Sequence, residues 1–210
     1  MDNDRQYASA MHPNRFTVGG CLLFPFCIGH AILLSKHGSP IAKLWSGNEQ
    51  DDVQIGLGDI AFAVWICSNR ATDSMAKIGS FWSRFAIANL SKRIARDNPS
   101  GTIEQFIEYI RLGFSSPRLK IPDKSKRCGA PLMSVLKVFL ISKMHRTEDE
   151  AINTPVELAF WDQAAYMESE GRVDFWTDRD SELESVAKRL SSDPEEVRRL
   201  FGEIGEDLNG

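Results

Sequence analysis

Eight residues in succession, Ile60 to Cys67, are apolar, and Asp59 stands before them as a start signal. A helix with apolar side chains on every side has no face to offer water. This one is therefore predicted to be the most buried of the fold. The chain has 210 residues, 42% hydrophobic and 26% charged. That is enough for one domain with a real core, and it excludes wholesale disorder, collagen and coiled-coil rods.

The rest of the chain reads as helices punctuated by caps. Residues 1–14 are polar and read as a flexible N-terminus. Two short β-prone runs flank Gly19-Gly20, the kind of pair that a two-residue turn demands, which predicts a β-hairpin over 15–24. Pro25 is placed to open a helix over 25–37, which Gly38 and Pro40 stop. Trp45 to Gly58 reads as a loop.

Asp73 begins the longest predicted helix, to about Arg96, with Ile78, Phe81, Trp82, Phe85, Ile87, Leu90 and Ile94 as its apolar set. Asn98-Pro99-Ser100-Gly101 is a break, and Thr102 with Gln105 fits a capping box for a helix to about Phe114. Ser115 to Pro131 reads as a basic loop, and Pro131 opens a helix to about His145. Thr147 with Glu150 caps a short turn. Thr154-Pro155-Val156-Glu157 is the strongest helix start, with Thr154 as its cap, and that helix runs to Gly171. Val173 to Trp176 is an extended connector, and 178–191 and 194–204 are two charged terminal helices.

Strands never alternate with helices, and no repeat is present. The expected fold is mainly α: a multi-helix single domain over 15–177 with a small N-terminal β-hairpin, then an acidic helical C-terminal segment over 178–210. Trp65, Phe85, Phe106, Leu136, Phe139 and Trp161 are expected in the core, and Trp82 lies on the same kind of apolar face.

The net charge of −4 hides an asymmetry: residues 1–146 carry +8 and residues 147–210 carry −12. Solvated helix faces explain much of this, and the acidic tail can pack beside the basic middle. The functional alternative is a basic surface that meets an acidic partner, masked by the tail until that partner arrives. The overall acidity argues against a dedicated nucleic-acid binder. The start, Met1-Asp2-Asn3-Asp4, lacks the basic-then-apolar order of a secretory signal, and the apolar stretch 21–34 is interrupted by Pro25, Gly29 and His30. The expectation is a cytoplasmic protein with reduced cysteines and no membrane span.

Chemical motifs are weak. Cys27 with His30 three residues on has the spacing of a thiolate–imidazolium pair, but the segment is apolar and a core role suits both better. Cys21, Cys27, His30 and His37 lack zinc-knuckle spacing. Glu168, Glu170 and Asp174 cluster at a polar helix end, where solvation is the ordinary role. Gly56-Leu57-Gly58 lacks the rest of a phosphate loop. No catalytic residue, cofactor site or metal site is expected.

The candidate partner contacts are two connector tryptophans, Trp45 and Trp176, and the basic loop residues Arg118, Lys120, Lys124, Lys126 and Arg127. An exposed tryptophan there would be a binding anchor. The loop could touch phosphates, but no aromatic is interleaved to stack a base.

Two segments carry a family resemblance. One runs from Phe16-Thr17-Val18-Gly19-Gly20 through Phe24-Pro25-Phe26-Cys27-Ile28-Gly29-His30 to Gly38-Ser39-Pro40. The other runs from Glu150-Ala151-Ile152-Asn153-Thr154-Pro155 through Ala159-Phe160-Trp161-Asp162 to Glu170-Gly171-Arg172. The pattern resembles proteins of phage and prophage structural gene clusters and is loosely similar to tail assembly chaperones. The resemblance implies a small helical protein of the host cytoplasm that covers apolar segments of a tape measure or other tail protein, with no cofactor. It brings no catalytic residues. It departs in length, which leaves the acidic tail without a counterpart.

The lead expectation is thus a non-enzymatic interaction protein of phage assembly, with self-association as a further option. The alternatives are a nucleic-acid-associated accessory protein using the basic 74–127 region, or a small cytosolic enzyme. Nucleic-acid binding is expected to be weak and salt-sensitive.

Overall fold

The computed structural model describes residues 3–11, 16–45, 54–120, 130–176, 180, 182–185 and 188, and for 3–5 the backbone alone. Among these the protein is mainly α-helical, with a two-stranded hairpin near the N-terminus.

The apolar run forms α3 (Leu57–Cys67), and Ile60, Ala61, Ala63, Val64, Ile66 and Cys67 are all fully buried. Around it stand α2 (Ile28–Lys36), α4 (Ala71–Lys77), α5 (Phe81–Asp97), α6 (Pro99–Gly113) and the 3-10 helix Pro40–Trp45. The closest packing is against α5. Outside α2 lie α7 (Leu132–Ser142) and α8 (Glu148–Asn153), and α9 (Val156–Ser169) packs on α6 and α7.

The hairpin pairs β1 (Phe16–Val18) with β2 (Cys21–Leu23) in the register Phe16 to Leu23 and Val18 to Cys21. Gly19 and Gly20 both take positive φ, 53° and 70°, which a two-residue turn of the matching twist requires. A second small ladder joins β3 (Leu119–Lys120) to β4 (Asp174–Phe175).

Several local expectations are corrected. Residues 3–11 are not a flexible end but a helix, α1 (Asn3–Met11), which packs on α9: Ala10 is buried and the Tyr7 ring lies 6.1 Å from that of Trp161. Two apolar side chains three apart suffice to dock it. Pro25 does not open α2. Cys27 is its N-cap, and the chain before it stays extended because Ile28 N–H donates to Thr154 O while Val156 N–H donates to Phe26 O. The two helix starts, α2 and α9, are thereby stitched together.

The long helix expected from Asp73 is two, separated at Gly79 (φ 85°), with the Ser80 hydroxyl accepting from Ser83 N–H to cap α5. The cap of α6 is Asn98 rather than Thr102: its side-chain oxygen accepts from Gly101 N–H, and Thr102 sits inside the helix, donating to Asn98 O. Thr154 is not the cap of α9 either. Its hydroxyl turns back to donate to Glu150 O, leaving Pro155 at the cap position. The Thr147–Glu150 box forms as the spacing predicts. Residues 182–185 are helical, and the rest of the two terminal helices lies outside the described residues.

Of the six expected core residues, Phe106, Leu136, Phe139 and Trp161 are buried. Trp65 is only half-buried against the core, and Phe85 is exposed.

Candidate functional site

The correction at Phe85 exposes the main surface feature. The buried side of α5 runs through Ser83, Leu90 and Ile94, with Ile87 half-buried between them. Spacings of 4, 3 and 4 trace one helical stripe against α3. Phe81, Trp82 and Phe85 fall off that stripe and stand 73%, 76% and 55% exposed. The Phe81 and Trp82 rings meet edge to face with centroids 5.8 Å apart. The apolar count of the sequence placed Phe85 and Trp82 in the core and put Phe81 in the same apolar set. The small residue Ser83, which is buried there in their place, is the signal that reverses the assignment. Exposed Arg84 lies within this aromatic ridge, and Lys92, Arg93 and Arg96 follow along the helix.

The connector tryptophans are not free anchors. Trp45 is half-buried, stacked on Phe114 at 5.4 Å and 21° and tilted against Phe26 at 5.6 Å. It borders a groove of about 830 Å³ between the 3-10 helix and the start of α7, with Ile32, Pro40 and Met133 in its walls. Trp176 is half-buried too. Its N–H donates to Arg118 O at 2.9 Å, and the Lys120 ammonium lies 5.7 Å from its ring centroid. Lys120 also pairs with Asp180 at 2.7 Å. The start of the acidic segment is therefore bound to the basic loop. Arg118 is exposed, and Lys124, Lys126 and Arg127 lie outside the described residues.

The Cys27–His30 pair is structural. His30 is fully buried, its Nδ1 accepts from the Cys27 backbone N–H at 3.2 Å, and its Nε2 lies 2.9 Å from the Asn69 carbonyl. That arrangement fixes the neutral Nε2–H tautomer. Burial lowers the imidazole pKa to about 4 and raises the Cys27 thiol to about 12. A thiol held neutral beside a neutral imidazole is no nucleophile.

Among the described residues no three His, Cys, Asp or Glu side chains gather as metal ligands. Glu168, Glu170 and Asp174 are exposed, and Glu170 accepts from Tyr166 Oη at 2.5 Å, which holds its carboxyl below the usual range. No helix of the described residues is long and apolar enough to cross a membrane. Comparison with protein-family models, curated proteins and solved structures finds no match.

Proposed function

We propose that this chain is a non-enzymatic interaction module of phage or prophage assembly that covers an apolar helical segment of a tail protein, such as a tape measure protein, until assembly displaces it. The observation that carries this reading is the Phe81–Trp82–Phe85 ridge, three large aromatics held outward on a capped helix. Aromatics are the favoured anchors of protein interfaces, and an apolar helix presents the i, i+3, i+4 rows that such rings fill. The basic side chains along α5 suit a partner with acidic flanks. The phage context rests on the resemblance of the hairpin and the Glu150–Pro155 segment. The engagement of Lys120 by Asp180 and Trp176 weighs against the nucleic-acid alternative.

The test is calorimetric titration of the full chain with an amphipathic Leu/Ala-rich helical peptide carrying acidic flanks, against a polar helix of equal charge. Saturable binding of the first alone is expected, weakened at least tenfold when Phe81, Trp82 and Phe85 are all changed to Ser. Equal binding by the triple variant would remove the ridge from the function.

A further inference from the structure

The outer face of α5 carries two kinds of side chain in one line. Trp82, Phe85, Asn89, Lys92 and Arg96 follow one another at spacings of 3, 4, 3 and 4, and all are exposed. An aromatic half is thus continued by a basic half. No ion pair engages Arg84, Lys92 or Arg96 among the described residues. We propose that this face has an occupant within the chain itself: the C-terminal segment 193–208 docks on it and yields to a partner. The inference rests on the reading of the ridge as a binding surface and adds its regulation.

The sequence of 193–208 has what the ridge selects. Val197, Leu200, Phe201, Ile204 and Leu208 lie at i, i+3, i+4, i+7 and i+11, one apolar stripe of a helix. Asp193, Glu195 and Glu196 precede the stripe, and Glu203, Glu206 and Asp207 accompany its second half, against Arg198 and Arg199 alone as basic residues. An apolar helix with acidic flanks is the complement of an aromatic ridge that runs on into lysine and arginine. The same sense of charge holds for the whole chain, with −12 on residues 147–210 and +8 on residues 1–146. Gly202 and Gly205 lower the helix propensity of the stripe, which keeps the docked state weak enough for a partner to displace.

The tether is anchored and long enough. Asp180 is held by Lys120 at 2.7 Å. From Asp180 to Val197 is 17 residues. Such a length spans about 40 Å with its first half helical, the breadth of a folded domain of this size. A tethered occupant acts at a high local concentration, so a weak contact suffices to cover the ridge while a tighter partner displaces it.

The test compares hydrogen–deuterium exchange of the native full chain with that of Leu200→Ser/Phe201→Ser, which removes the centre of the stripe. The variant should exchange the Ser80–Lys92 segment about threefold faster. It should bind the acidic-flanked Leu/Ala helical peptide about threefold tighter, because its internal competitor is gone. Phe201→p-benzoylphenylalanine in the full chain supplies a second readout: photo-crosslinks in dilute solution should fall on α5 of the same molecule. Crosslinks between two molecules would give the ridge to the tail of a second copy and overturn the intramolecular contact. Unchanged exchange with crosslinks away from α5 would overturn it too. The two readings fail separately. Peptide that binds native chain and variant equally, and needs Phe81, Trp82 and Phe85, leaves the ridge a partner surface without the tail. Peptide that binds neither, beside faster exchange in the variant and crosslinks on α5, leaves the tail contact and removes the helical partner.

Discussion

His30 of α2 and Asn69, just beyond the end of α3, are tied by a 2.9 Å contact between the imidazole Nε2 and the Asn69 carbonyl. The bond joins the most buried helix to the one beside it, and it needs a neutral ring. With a folded pKa of about 4 against an ordinary 6.5, the unfolded chain binds this proton first as pH falls. Stability from His30 is therefore complete above about pH 6.5 and is lost between there and pH 4, by about 3 kcal/mol in all. Asp162 and Glu157, whose carboxyls burial holds above the usual range, act in the opposite sense and favour the fold in acid. Urea unfolding at pH 7, 6 and 5, on the native chain and on His30→Gln, isolates the histidine: the variant should be less stable and flatter across this window.

A second buried polar link supports α9. Arg146 donates from Nη2 to Asp162 Oδ2 at 2.7 Å and from Nη1 to the Thr154 hydroxyl at 2.8 Å. Asp162 is buried, so Arg146→Ala strands a carboxylate and should destabilise by about 2–4 kcal/mol. Asp162→Asn, which keeps an acceptor, should cost less. Denaturant midpoints of the two variants decide the order.

Phe81 and Phe106 are one residue type in opposite environments. Phe81→Ser removes an exposed ring and should change stability by no more than about 0.5 kcal/mol. Phe106→Ala empties a fully buried site and should cost about 3–5 kcal/mol. Comparable losses would place Phe81 in the core after all.

Lys120 binds Asp180, so the acidic segment begins against the basic loop. Deleting 178–210 should leave a folded body with a greater tendency to self-associate, read by sedimentation velocity. An unfolded product would make the tail part of the core.

What was legible in the sequence follows from burial. The uninterrupted apolar run had no face to leave in water, and Gly19-Gly20 suits a tight turn, so α3 and the hairpin stand where the residues put them. Caps were harder to place, because Thr102 and Thr154 have hydroxyls that satisfy neighbouring carbonyls as readily as they cap. The ridge was not legible at all. Three aromatics at helical spacing look like a core face, and only the partner helix shows that Ser83 points inward instead. The half-burial of Trp45 and Trp176 was not legible for a related reason: connectors fold back, and their tryptophans lie against Phe114 and Lys120.

The central claim is that a partner helix docks on the outer face of α5. Hydrogen–deuterium exchange of the full chain, with and without the acidic-flanked Leu/Ala helical peptide, tests it most directly. Slowed exchange confined to the Ser80–Leu90 segment and its immediate neighbours is the predicted result. Protection located elsewhere, or an unchanged α5 at saturating peptide, would contradict it.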